Sequence, residues 1–463
     1  MTSDRVSALS EERTATGPPK SKARLAAAAL IGTTIEYYDF FLYGTAAALV
    51  FNVAFFPSED PFVSTLLAFS TLTIGFFARP LGAAVFGHYG DRLGRKQTLV
   101  VCLILMGGST FLIAALPTFD AIGMAAPIAL VVLRLVQGFA LGGEWGGATL
   151  LLTENVDDNR RGFWASFPQI GPAFGNLLAA GVLAIFSAVL SDDQFISWGW
   201  RFPFALSALL LAVGLWVRLQ VGETDQFLEQ KAKREAEGNI EPIKMPFIVL
   251  LTKYPKPLLV AIGLRLGESA GYYATTVYIL QYATAVGNMS RGLVLTAVLF
   301  AVGVEALLVP AFGSLADRIG RRPVYAGAAI ALVPYIFLLF ISVDAGQSTG
   351  VILAVLVGGI IHAAFAGTHG AYFSELFATE VRYSGVSLGF NIGAVLGGGL
   401  TPIIGLSLYE AFGSAVAFST YISILAVLTL IATLAAGETL PRLAKKHQRV
   451  GSSSVESASP AHT

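Results

Sequence analysis

The chain has 463 residues, of which 55% are hydrophobic and 13% charged, with 30 Lys and Arg against 30 Asp and Glu; its mean hydropathy is +0.68. Soluble domains carry about 25% charged residues, so water is excluded as the solvent for most of this surface and the lipid bilayer takes its place. The net charge of zero gives no general attraction to nucleic acid, and the single cysteine, Cys102, forms no internal disulfide and reads as a small core residue in an apolar run.

In chain order, residues 1–24 are polar and charged and predict a disordered tail. Twelve apolar runs follow, each close to the roughly 20 residues that cross about 30 Å of hydrocarbon. They centre near residues 40, 76, 107, 140, 175, 210, 268, 300, 333, 362, 395 and 425. A helix satisfies its own backbone in lipid, so an all-α membrane protein is expected. The first run contains Glu36 and Asp39 and is longer than a signal-peptide core, which predicts a retained span. A charged cytoplasmic loop, 223–255, separates a first set of six helices (25–222) from a second (256–437), and 438–463 reads as another disordered tail without heptads.

Charge predicts orientation. With the N-terminus in the cytoplasm, tails and loops on that side carry 24 Lys and Arg, and the opposite loops carry only Arg291. That asymmetry puts both termini inside. Arg201 and Arg218 fall near helix ends, where a long side chain can snorkel. Arg79, Arg134 and Arg265 lie within spans and need another explanation.

After the second run comes GHYGDRLGRK (87–96); 226 residues later, after the eighth, comes GSLADRIGRR (313–322). TENVDDNRRG (153–162) follows the fourth run and SELFATEVRYSG (374–385) the tenth. The chain therefore reads as two copies of one six-helix unit, the parallel-repeat arrangement of a secondary transporter.

These residues resemble the major facilitator superfamily, whose loop signature G-x-x-x-D-R-x-G-R-[RK] fits both stretches; Ala316 stands where the first copy has Gly90, a position the signature leaves open. IEYYDFFLYG (35–44), FFARPLGAAVFGHYGDRLGRK (76–96) and RLVQGFALGGEWGGA (134–148) are similar to its metabolite:proton symporter branch, which includes carriers of shikimate, 2-oxoglutarate, citrate and proline betaine. The 134–148 block and SWGWRFPF (197–204) look most like shikimate-type members. The resemblance implies twelve helices in two pseudo-symmetric lobes, a cavity surrounded by helices 1, 4, 7 and 10, and alternating access. It also implies a cytoplasmic latch formed by Asp91, Arg92 and Arg95, and by Asp317, Arg318 and Arg321. Gly87, Gly90 and Gly94 permit the tight reversal, and Asp91 can face the positive end of a neighbouring helix.

Ionisable groups inside spans are costly in hydrocarbon and mark candidate sites. Glu36 and Asp39, three apart on one helical face, suit proton coupling or a structural pair with a nearby Arg or Tyr. Glu144 sits among Gly142, Gly143, Gly146 and Gly147 and is a further coupling candidate. Arg134 can clamp a substrate carboxylate or pair with Asp39 or Glu36. Arg265 and Glu268 form either a clamp and a coupling group or a self-neutralising pair; Tyr272 and Tyr273 follow them, and the first run has Tyr37 and Tyr38 in a comparable place. Gln137, Trp145, Gln169 and Asn391 are candidates for polar or stacking contacts with a substrate. His362 and His369 lie two turns apart on one helical face, and His369 joins the coupling group; two His at this spacing without clustered acids make no metal site. Arg79 and Glu305 coincide under the 226-residue shift and read as structural or gating groups.

A Gly-Lys pair never occurs, which rules out the phosphate loop of an ATP-driven pump, and no H-E-x-x-H appears. No enzyme activity, cofactor or nucleic acid is expected. The expectation is a proton symporter of the bacterial plasma membrane that imports a small organic acid, such as a shikimate-like monocarboxylate or a dicarboxylate. Its partners are substrate, proton and bilayer, and a monomer suffices. The alternatives are a proline/betaine symporter for zwitterionic osmolytes and a drug:proton antiporter.

Overall fold

The computed structural model describes residues 22–58, 61–93, 95–154, 156–220, 246–378, 381–440 and 443. The predicted tails and loop fall largely outside these residues, as do the side chains of Asp91, Arg92 and Arg95.

In hydrocarbon only an internal hydrogen-bond ladder satisfies the backbone, and each apolar run winds into a helix. The first six are α1 (Lys22–Ala46), α2 (Pro61–Leu93), α3 (Arg95–Ala115), α4 (Ala125–Thr153), α5 (Phe167–Val189) and α6 (Arg201–Gln220). The second six are α7 (Pro255–Tyr273), α8 (Arg291–Ile319), α9 (Arg321–Asp344), α10 (Ser348–Glu375), α11 (Arg382–Ala394) and α12 (Ala415–Ala436). Wide π turns extend α1 (Ala47–Phe51), α7 (Ala274–Tyr278) and α11 (Val395–Gly399), and those of α1 and α7 occupy corresponding places in the two repeats. Among the described residues, 11 helices are long and apolar enough to cross a membrane. The twelfth is α7, which runs through its π turn into Ile279–Ala285 and is made more polar by Arg265, Glu268 and its tyrosines. Between α8 and α9 the chain reverses at Gly320, whose φ of +112° only glycine adopts readily. It is the repeat counterpart of Gly94.

The repeat is visible in the packing. In the first lobe α1 lies on α5, α2 on α4 and α3 on α6; in the second α7 lies on α11, α8 on α10 and α9 on α12. The lobes meet along α2–α11, α4–α11 and α5–α8. The α2–α4 seam is close enough that a Cβ on Gly138 would strike the carbonyl of Gly75, and one on Gly142 the carbonyl of Arg79. Lipid supplies no hydrophobic drive between helices, so small residues and close contact must hold them together. That seam also fixes where Arg79 sits. Large apolar side chains such as Phe77, Leu81, Leu307 and Ile431 cover the outer surface, a face suited to lipid.

Candidate substrate and proton site

The lobes close over a cavity of about 30 Å³. A water needs roughly 10–15 Å³ of such space, so the cavity admits a water or two and no six-carbon ring. Arg79 of α2 and Gln169 of α5 line it from the first lobe; Arg265, Glu268, Tyr272 and Tyr273 of α7, with His362 and His369 of α10, line it from the second. Arg79 is only 3% exposed. Its guanidinium lies 4.0 Å from the Phe76 ring centre and 4.4 Å from that of Phe40. Such cation–π contacts soften burial of the charge without neutralising it. Its Nε and Nη2 have no hydrogen-bond partner, and among the described residues no carboxylate pairs with it.

A larger vestibule, about 300 Å³, lies between α1, α5, α7 and α8 at the end of the bundle remote from Lys22 and Leu440. Phe41 lines both spaces and meets Tyr272 edge to face at 6.2 Å. Phe41 is thus common to the two spaces, and Tyr272 belongs to the cavity side.

The second lobe concentrates its charges. Arg265 pairs with Glu268 one turn along α7 and covers the Phe390 ring at 3.9 Å. His362 stands between two carboxylates: its Nε2 is 2.7 Å from Glu268 Oε1, and its Nδ1 is 2.7 Å from Glu305 Oε1. A ring that meets carboxylates through both nitrogens is an imidazolium between two anions, or a neutral imidazole between an anion and an acid. Either way each short contact holds one proton between the ring and a carboxylate. His369 turns its Nε2 to the Tyr325 hydroxyl at 2.8 Å and stays 4.0 Å from Glu268.

In the first lobe Glu36 and Asp39 part company. Arg218 Nη2 donates to Glu36 Oε1 at 2.9 Å and also contacts the Glu144 carboxylate. This corrects the reading of Arg218 as a snorkelling residue: it is 11% exposed and ties α6 to α1 and α4. Arg201 does serve a helix end, donating to the Ala114 and Leu116 carbonyls at the close of α3. Asp39 accepts a hydrogen bond from Ser207 at 2.6 Å. Arg134 donates to Gln137, which donates to Thr110, and none of the three lines the cavity. Trp145 stacks on Phe390 at 3.6 Å, and Asn391 donates to the Gly142 carbonyl across the lobe boundary at 3.1 Å.

Of the expected substrate contacts, Arg265, Gln169, Tyr272 and Tyr273 thus line the cavity, while Arg134, Gln137, Trp145 and Asn391 do not. Of the expected coupling groups, Glu268 and His369 line it, and Glu36, Asp39 and Glu144 lie within the first lobe. Arg79, expected as a structural or gating group, faces the cavity, and Glu305 is joined to His362. The two-turn spacing of His362 from His369 was the signal that could have given His362 more weight. The pentapeptide GVSLG (385–389) spells G-x-S-x-G, but it lies wholly within α11 rather than on the strand–turn–helix that a nucleophilic serine requires.

At the end bearing Lys22 and Leu440 the lobes are shut. Asp317, ending α8, accepts hydrogen bonds from the Gly162 and Phe163 backbone N–H groups at 2.8 Å each, at the start of the short helix Arg161–Ala165. A carboxylate is stabilised at that positive end. Arg321 pairs with Asp317 at 2.7 Å and with Glu375 at 3.3 Å, and Arg161 reaches Glu375 at 3.5 Å across the lobe boundary. Tyr383 donates to the Gly143 carbonyl at 2.5 Å. Arg318 sits on the exposed side of the last turn of α8.

Two six-helix repeats closing on a polar cavity define a membrane transporter of the major facilitator fold. Over residues 25–450 the chain matches the family described as Sugar (and other) transporter, and it belongs to that family. It is 40% identical over 394 residues to the shikimate transporter of Escherichia coli strain K12, covering 85% of this chain and 89% of that protein. It is 34% identical over 421 residues to the proline/betaine transporter of the same strain, covering 90% of this chain and 83% of the relative. The structure of the proton:xylose symporter XylE bound to 6-bromo-6-deoxy-D-glucose shares the fold, with a TM-score of 0.73 at 17% identity over 91% of this chain and 98% of that one.

Proposed function

We propose that this protein is a proton-coupled symporter that imports a small organic anion by alternating access, with both termini in the cytoplasm. The observation that carries the reading is Arg79: a buried guanidinium with two nitrogens that have no hydrogen-bond partner, in the wall of a small cavity between the lobes. A buried cation persists with a partner, and a substrate carboxylate supplies one. Arg265 faces the same cavity from the other lobe, so a bound carboxylate draws the lobes together. A cytoplasmic closed end is supported by the basic residues gathered on the side of the termini, read with the positive-inside rule. The vestibule then faces outward, ready to load. Shikimate-like acids are the leading substrates, given the shikimate transporter's similarity. The aromatic cavity wall of Phe76, Tyr272 and Tyr273 also suits a quaternary ammonium, which supports a betaine-like zwitterion as second reading; its carboxylate would still need Arg79. Proteoliposomes with an alkaline interior should accumulate one acid from a labelled panel of shikimate, 2-oxoglutarate, citrate and glycine betaine, and a protonophore should abolish the accumulation. Accumulation that survives the protonophore, or none for any member, would overturn the reading.

Asp317 is the cytoplasmic latch in this scheme. Asp317→Asn removes a charged acceptor from two N–H groups and from Arg321. A charge-assisted hydrogen bond contributes about 1.5–3 kcal/mol, or roughly 10- to 100-fold in the open-to-closed ratio. Ser387 is fully buried in the shut half of the lobe boundary. With Cys102 replaced, a Ser387→Cys reporter should react with maleimide about tenfold faster or more in the Asp317→Asn background. An unchanged rate would remove Asp317 from the latch.

A further inference from the structure

The geometry points to a proton inlet through the second lobe: Glu305 and His362 carry a proton from the vestibule to Glu268, and protonated Glu268 releases Arg265 to the substrate carboxylate. This rests on the organic-anion reading for its second half only.

The route is laid out by three adjoining spaces. Thr276 and Val298 line both the vestibule and a pocket of about 10 Å³ between α7, α8 and α10. Glu305 and His362 line that pocket, and His362 with Glu268 lines the central cavity. The imidazole is thus part of the wall between the two spaces. The Tyr272 ring covers it at 4.2 Å between centroids, so water does not bypass it there. The two 2.7 Å contacts are short enough for direct transfer on either side of the ring.

The step balances as follows. A hydronium ion reaching the vestibule from the outer solution gives its proton to Glu305 and leaves as water. Glu305 passes its proton to His362 Nδ1 while Nε2–H passes one to Glu268 Oε1. The ring stays neutral overall and changes tautomer, Glu305 is an anion again, and Glu268 is an acid. The other titratable or charged groups facing the cluster are Arg265, Tyr272 and Tyr273 on α7, His369 on α10 backed by Tyr325 on α9, and, across the cavity, Tyr37 on α1 and Arg79 on α2. Once Glu268 is neutral, Arg265 and Arg79 form a two-cation socket with no protein anion between them. One carboxylate entering restores the charge lost with the Glu268 anion. Proton and carboxylate therefore travel one for one, and each promotes binding of the other.

Two measurements separate the relay from the anion reading. The carboxylic-acid infrared band of Glu268, identified by its absence in Glu268→Gln, is followed in nanodiscs after a drop in pH. In His362→Gln and in Glu305→Gln the band should rise about 100-fold more slowly than in the wild type. Shikimate exchange between equal internal and external pools, which needs no net proton movement, should persist in both variants while uptake driven by a pH gradient is lost. Persisting exchange also shows that the variants are folded. A Glu268 band that rises at the wild-type rate in both variants overturns the relay. A band that slows as expected in a protein that exchanges none of the panel acids supports the inlet and overturns the anion reading alone.

Discussion

Arg218→Met should destabilise the protein by about 3–5 kcal/mol, the range for removing one partner of a buried ion pair. Arg218 is the cation shared by Glu36 and Glu144, and both carboxylates are buried. Without it, two anions face each other in the first lobe with no cation in contact. The site is built for the arginine: a Cβ on Gly32 would lie 2.7 Å from Arg218 Nη2, so the glycine makes room for the guanidinium beside α1. Detergent unfolding should show the loss directly. The triple variant Glu36→Gln, Glu144→Gln, Arg218→Met should recover most of it, because replacing a whole buried charge cluster by neutral groups costs far less than halving it. If Arg218→Met unfolds at the wild-type midpoint, the triad does not hold α1, α4 and α6 together.

The same residues show how far the sequence reaches. The spans, the two lobes and the repeat were all legible, because apolar length and the spacing of two charged loops are one-dimensional properties. Charge pairing was not. Glu36 and Asp39 share a helical face by spacing, yet at 3.6 residues per turn they point about 60° apart. That angle sends Glu36 to Arg218 on α6 with Glu144, and Asp39 to Ser207. Which arginine meets which acid depends on how helices rotate against one another, and that rotation is set by contacts such as the Gly138–Gly75 seam. The 226-residue shift pairs Arg79 with Glu305 by sequence, but it could not show that Arg79 would meet no carboxylate among the described residues at the cavity. Nor could it show that Glu305 would meet a histidine from α10. The expectation that Asp91 faces a helix start lies outside the described side chains, while its repeat partner Asp317 makes that contact with the Arg161–Ala165 helix.

Arg79→Met should weaken substrate binding roughly 10- to 100-fold while leaving the empty protein as stable as wild type or more so. The two effects have opposite signs because, among the described residues, no carboxylate pairs with Arg79. A charge-assisted hydrogen bond to a carboxylate contributes about 1.5–3 kcal/mol, and each 1.4 kcal/mol is a factor of ten. In the empty cavity the guanidinium gains its ring contacts with Phe40 and Phe76 and a hydrogen bond with the neutral Tyr273 side chain, none of which carries a balancing charge. An apolar side chain of similar volume avoids the cost of burying an unpaired charge. Arg79→Lys keeps the charge but loses the planar fork, so it should regain part of the affinity. Titration of shikimate into purified protein reads the first effect and thermal unfolding without ligand reads the second. Arg134→Met is the contrast: Arg134 donates to Gln137 away from the cavity, so its loss should act on stability before affinity. Unchanged affinity in Arg79→Met would defeat the clamp. A clear drop in the stability of the empty protein would make Arg79 a structural cation instead. A betaine substrate carries the same carboxylate, so Arg79→Met should impair shikimate and glycine betaine alike. Only the aromatic wall tells them apart: Tyr272→Leu should weaken the zwitterion more than the acid, because a quaternary ammonium draws on the ring face and a hydroxylated acid does not.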